Sequence, residues 1–186
     1  MRKFLIGLIA AFAVLFLLTV AIGLFLPGDF TVRRSIEVQA PAERLYELVG
    51  DLERWPDWGP WKEADPTLVI ELGEKTSGVG ASQTWHGKDG NARLEFIEAD
   101  PASGVTFDLY FNDDAFYNLS SIRYAPLPGG QGYEVVWEMS GVVEVPVLGG
   151  YLALAMDDMV GAMFEDGLEK LKRVAEDPTV EAKTQL

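Results

Sequence analysis

Hydrophobic and polar positions follow three periods along this chain. From Phe4 to Leu26 the sequence FLIGLIAAFAVLFLLTVAIGLFL has no charge for 23 residues and stops at Pro27-Gly28-Asp29. A helix rises about 1.5 Å per residue and needs about 20 apolar residues to cross a hydrocarbon core, so this run predicts one spanning helix. Phe30 to Gln39 changes to period two. There Val32, Arg34, Ile36 and Val38 alternate with Arg33, Ser35 and Glu37, as in a half-buried strand. Ala40-Pro41 opens a short helix with Glu43 in its first turn and Leu45, Leu48 and Val49 as its apolar stripe.

Strand-like runs follow over 67–72, 78–86, 92–99, 105–112, 116–125 and 133–145. Turn residues separate them: Gly73-Glu74-Lys75, Lys88-Asp89-Gly90-Asn91, Asp100 to Gly104, Asn112-Asp113-Asp114 and Pro128-Gly129-Gly130. Loops this short join antiparallel neighbours, so a meander is expected. Alternation is clearest in Val105, Phe107, Leu109 and Phe111, and in Tyr133, Val135, Trp137 and Met139. From about Gly149 to Glu176 the period becomes helical. Leu152, Met156, Met159, Val160, Met163 and Phe164 begin an apolar stripe that Leu168, Leu171 and Val174 continue, with Asp157, Asp158, Glu165 and Glu169 largely off it. A long amphipathic helix covering a curved antiparallel sheet is an α+β layer arrangement.

These elements divide the chain into an anchor with a short linker (1–28), one globular domain (29–176) and a polar tail (177–186). The apolar run is longer than the h-region of a cleaved signal peptide and ends in Phe25-Leu26-Pro27 rather than in small residues, so it reads as an uncleaved anchor. Arg2 and Lys3 favour a cytoplasmic N-terminus and an extracytoplasmic domain, opposed in part by Arg33 and Arg34. The chain carries 15 basic and 29 acidic residues, and Arg2 and Lys3 belong to the anchor. A domain this acidic repels nucleic acid and anionic lipid alike, which leaves the apolar helix to hold it at a bilayer. Cysteine is absent.

Candidate chemistry is sparse. His86 is the only histidine and stands at a strand end, so no catalytic role is assigned to it, and metal sites built on several histidines are ruled out. Asp113-Asp114 and Asp157-Asp158 read as turn and helix-surface carboxylates. Gly78-Val79-Gly80 and Gly129-Gly130-Gln131-Gly132 lack both the dinucleotide spacing and the phosphate-loop lysine. No cofactor and no catalytic residue is expected. Gly167, on the buried side of the last helix, is expected to let it approach the sheet closely. The segment DLERWPDWGPW remains, with three of the five tryptophans in seven positions. Base stacking conflicts with the charge, and Glu53, Asp57 and Glu63 argue against a membrane-interface belt.

Three stretches in this order, RSIEVQAPAERLYELVGDLERWPDWGPW, GVGASQTWHG and GAMFEDGLEKLK, resemble the START-like (helix-grip, SRPBCC) superfamily, specifically its polyketide cyclase/dehydrase and lipid-transport branch. The resemblance covers about Phe30 to Ala175. It implies a curved antiparallel sheet wrapped around the C-terminal helix, with a ligand cavity between them that the tryptophan corner helps to close. That branch often has serine where this chain has Gly59, a difference expected to change little.

Within this frame the expected cavity walls are Trp85, Phe107, Leu109, Trp137 and Met139 from the sheet and Met156, Met159 and Met163 from the helix. Met159 is placed near the middle of the helix wall. Methionines suit a pocket that repacks around variable apolar ligands. Gln83, Tyr110, Asn118 and Arg123 are candidate polar anchors, with strand parity unresolved. The resulting expectation is a membrane-held domain binding a hydrophobic small molecule or lipid without chemistry. Two alternatives stay open: a cyclase- or dehydrase-like enzyme, and a protein-interaction module with a filled core.

Overall fold

The structure, a computed structural model, describes residues 2–88 and 90–177. Apart from Asp177, the expected polar tail lies outside the described residues. An N-terminal helix α1 (Arg2–Phe25) leads into strand β1 (Asp29–Val38), helix α2 (Ala42–Val49) and a six-residue 3₁₀ turn, Leu52–Asp57. A single helical turn, α3 (Trp61–Ala64), precedes strands β2 (Val69–Leu72), β3 (Ser82–Gly87) and β4 (Gly90–Asp100). Strands β5 (Gly104–Phe111), β6 (Phe116–Pro126) and β7 (Tyr133–Val142) complete the sheet before helix α4 (Gly149–Glu176). The fold is α+β helix-grip: a curved seven-stranded antiparallel sheet in the order β1-β7-β6-β5-β4-β3-β2, with α4 laid across one face.

The meander from β2 to β7 follows from its short turns. The sixth pairing joins the first strand to the last, with Asp29 opposite Val142 and Val38 opposite Tyr133. One irregularity lies between β4 and β5, where the register shifts across Phe96 and Glu98. An unmatched residue there, Ile97, bends the strand, as bulges do.

Inner-face side chains form one core with α2 and α4. Leu45, Leu48 and Val49 from α2 and Phe164, Leu168 and Leu171 from α4 meet Val32, Phe96, Val105, Ile122 and Val135 from the sheet. The expected role of Gly167 is seen in the packing: a Cβ there would stand 2.8 Å from Cζ3 of Trp137 and 3.2 Å from Cδ of Pro60. Gly161 admits a second close approach. Arg34, on the inner face of edge strand β1, lies against this glycine and spans the underside of α4. Its Nε donates to Glu165 at 2.5 Å and its Nη1 to Asp157 at 2.7 Å. These two helix carboxylates, off the apolar stripe in sequence, tie α4 to β1.

The Arg34 guanidinium, chiefly by hydrogen bonding, holds the Asp157 carboxyl below its ordinary pKa. Asp114 is lowered by Arg93, and Asp100 by the Ala102 amide and the Ser103 hydroxyl. A carboxylate with a depressed folded-state pKa contributes stability that is complete above its unfolded value, about 3.9, and is lost as pH falls through the folded value. The expected result is a urea midpoint that is flat between pH 6 and pH 8 and falls steadily from about pH 4 downward. Replacing Asp157 by Asn should flatten part of that fall.

Candidate functional site: an apolar cavity under α4

Between α4 and the sheet lies a cavity of about 550 Å³. Its floor is Leu94 of β4, Phe107 and Leu109 of β5, Asn118 and Ser120 of β6, and Trp137 and Met139 of β7. Met156, Val160, Met163 and Phe164 of α4 form the roof, and Trp55 and Trp61 close the inner end. These positions share a face because strand side chains alternate and the register aligns Leu94, Leu109, Asn118 and Gly141 in one row.

The tryptophan corner is built before it can close anything. Trp55 Nε1 donates to the Val49 carbonyl at 3.0 Å and Trp58 Nε1 to the Leu48 carbonyl at 2.9 Å, so both indoles bond to the C-terminal end of α2. Those carbonyls have no helical partners of their own, which is why the corner sits directly after the helix. Trp55 stacks on Trp61 at 5.3 Å between centroids and meets Phe107 edge-on. Trp137 in turn stacks on Phe164 at 4.3 Å. Gly59 bears on this packing. A Cβ at that position would fall within the ring of Trp61, so serine there would displace an indole of the cavity wall, contrary to the expectation of little change.

Of the expected lining residues, Trp85, Phe107, Leu109, Trp137, Met139, Met156, Met159 and Met163 all border the cavity. Met159 does so from the rim rather than mid-wall. It is 66% exposed, because the helix turns Met156, Val160 and Met163 inward and leaves Met159 at the edge.

The four candidate anchors separate. Asn118 borders the cavity and is buried, with its Oδ1 close to Gly141. Gln83 is buried on the inner face in the same row as Leu94 but is not part of the wall. Tyr110 and Arg123 project from the opposite face and must be discarded as anchors. The Arg93 guanidinium lies 3.8 Å over the Tyr110 ring, and Arg123 binds Glu98 and the Thr106 hydroxyl. Parity explains Arg123: β6 carries apolar residues on both faces, Ile122 inside and Leu119 outside, so alternation alone does not orient it. The alternation of β5, by contrast, already sets Tyr110 on the opposite face from Phe107 and Leu109. His86 is also exposed on the outer face.

Several wall residues carried no sequence signal, among them Ser120, Asn91, Asn112 and Asp65. The Ser120 hydroxyl donates to the Glu138 carbonyl at 3.0 Å. Asp65 is the one charged residue among the described wall residues. Its carboxylate accepts from the Thr67 hydroxyl at 2.6 Å, the Thr67 amide at 2.9 Å and the Lys88 amide at 3.1 Å. Those bonds, the Thr67 hydroxyl first, hold its pKa below the ordinary carboxylate value against the opposing effect of burial. Asp65 therefore staples the loop before β2 to the end of β3. Trp137 Nε1 is buried without a hydrogen-bond partner.

A long helix seated on a curved antiparallel sheet, with an apolar cavity between them, defines the helix-grip class, whose fold suits hydrophobic-ligand binding. Residues 29–176 match the family model described as polyketide cyclase / dehydrase and lipid transport, and the chain belongs to that family. A curated relative, the actinorhodin polyketide synthase bifunctional cyclase/dehydratase of Streptomyces coelicolor, is 36% identical over 59 residues, or 32% of this chain and 17% of that protein. Among solved structures, a Chromobacterium violaceum protein matches at TM-score 0.58 and 19% identity, over 80% of this chain and 99% of that one. A hypothetical protein of Helicobacter pylori matches at TM-score 0.59 and 9% identity, over 80% and 88% respectively. At such identities these structures share the fold.

Proposed function

We propose that residues 29–176 form a domain that binds an uncharged apolar small molecule or lipid under α4, and that residues 1–28 hold it at a membrane with the domain on the extracytoplasmic side. The observation that carries this reading is the cavity. It holds about 550 Å³, within the range of small-molecule sites, and its wall is aromatic and aliphatic apart from a few neutral polar groups and one carboxylate. That carboxylate is already engaged by the loop, and no described wall residue is a cation that would neutralise an anionic headgroup inside. Helix α1 supports the anchor: its Lys3–Phe25 stretch is long and apolar enough to span a bilayer, and the apolar 18-residue window within it is unburied in the protein. Binding proceeds without chemistry in this reading. The cyclase- or dehydrase-like alternative draws on the Streptomyces relative, and Asp65 is the wall carboxylate from which it would start.

The test uses the full chain in lipid nanodiscs with two photoactivatable ligands of equal chain length, a methyl ester and the matching carboxylate, at pH 8. The ester is expected to cross-link to peptides of β5, β7 and α4. The carboxylate should do so at least about tenfold less, a difference of about 1.4 kcal/mol. Cross-links confined to α1 for both ligands would overturn the reading, and turnover of a polyketide-type ligand that Asp65→Asn abolishes would replace it with the enzyme.

A further inference from the structure

The cavity opens at one end of the sheet, and that end is where α1 is attached. The register fixes this. The start of β1 (Asp29), the end of β7 (Val142), the start of β6 (Phe116), the end of β5 (Phe111) and the β3–β4 turn (Gly87, Gly90) all lie on the same side. The exposed members of the cavity wall, Gly90, Asn112, Phe116, Val142, Leu152 and Met159, cluster at this end and along the adjoining first half of α4. The buried apolar members lie inward, toward the tryptophan corner, while buried Asp65 sits beside the β3–β4 turn.

The first turn of α4 does more than begin near α1; it packs alongside it. A Cβ on Gly23 would collide with the Val147 carbonyl and Tyr151, and one on Gly150 with Leu26. The Tyr151 hydroxyl donates to the Thr19 carbonyl at 2.9 Å. Gly23 and Leu26 bound the last turn of the uncharged run, and Thr19 lies about 10 Å deeper than Leu26 at 1.5 Å per residue. Residues 147–151 are therefore level with the final turn of the span. Leu148, which projects from this turn, is 55% exposed, and Val142 and Leu152 at the mouth are 53% and 42% exposed. Such a patch is costly in water and stable against lipid. With an acidic domain, apolar insertion rather than charge is the force available for it.

We infer that the mouth of the cavity is seated in the lipid interface, so that ligand passes between the hydrocarbon phase and the cavity without crossing water. The partner surface is the bilayer itself, recognised by the apolar rim around Leu148, Val142, Leu152 and Phe116. This inference rests on the proposed anchoring of α1, and it adds a direction to the site: the opening faces the membrane and the β4–β5 turn faces away.

Because the chain has no cysteine, single substitutions give clean labels on the full chain. Leu148→Cys, Leu152→Cys and Ala102→Cys, the last in the β4–β5 turn at the far end, would each carry a polarity-sensitive fluorophore. Each variant is reconstituted in phosphatidylcholine vesicles with or without nitroxide-bearing lipid. The labels at 148 and 152 are expected to shift to the blue and lose most of their emission to the nitroxide lipid, with the label at 102 unaffected. Vesicle-bound protein whose 148 and 152 labels behave like the one at 102 would overturn the inference and leave the anchor and cavity intact. Protein that fails to float with the vesicles would remove the anchor as well.

Discussion

Trp55→Ala is expected to cost about 3–5 kcal/mol of stability. Trp55 is 2% exposed and makes ring contacts with Trp58, Trp61, Phe96 and Phe107. Its removal opens a void that these rings cannot all close, since Trp58 is fixed by its bond to the Leu48 carbonyl. It also strips the Val49 carbonyl of its indole donor at the end of α2. Domains of this size have about 5–15 kcal/mol in all, so the variant should be marginal at 37 °C. Chemical denaturation followed by circular dichroism measures the loss. Trp55→Phe, which keeps the ring but not the N–H, should recover much of it. Equal losses for the two would mean that the hydrogen bond, and not the packing, holds the corner.

Leu109→Trp is expected to separate binding from stability. Leu109 stands on the cavity floor between Leu94 and Asn118 and is 8% exposed. In a filled core, a ring added at that position would cost about 1–3 kcal/mol or more. Above this floor the ring enters the cavity instead, so the melting temperature should hold to within a few degrees while ester cross-linking falls at least about tenfold, equivalent to about 1.4 kcal/mol. Met159→Trp, the substitution that sequence periodicity favours for this purpose, is uninformative. At the rim its ring has room whether or not the interior is hollow. A large loss of stability for Leu109→Trp would mean that the space under α4 closes in solution, and the ligand-binding proposal would fall with it.

The class of fold was legible in the chain because local periods and turn residues are local facts. Alternation at Val105 to Phe111 and at Tyr133 to Met139 gave the inner faces of two strands correctly. The stripe from Leu152 to Val174 gave α4 with its bounds, and the short turns gave the antiparallel meander. Strands β2 and β3 start later than their hydrophobic pattern suggested. Residues 67–68 belong to the loop that Asp65 organises, and 78–81 form a turn with Gly78 and Gly80 at positive φ.

What the tertiary structure decided is everything that depends on pairs of residues far apart in the chain. No local pattern in β1 names β7 as its partner, and that pairing places Arg34 beneath α4 and Phe30 at the mouth. The outward turn of Arg123 depends on strand register and the rim position of Met159 on helix phase. A one-residue change in either would reverse them without altering composition or period. The sequence by itself determined an apolar helix, a sheet and a covering helix, because hydrophobic spacing encodes which surface each element must bury. It did not determine where the cavity opens, because that depends on which strand ends meet the first turn of α4, and only the assembled sheet brings them together.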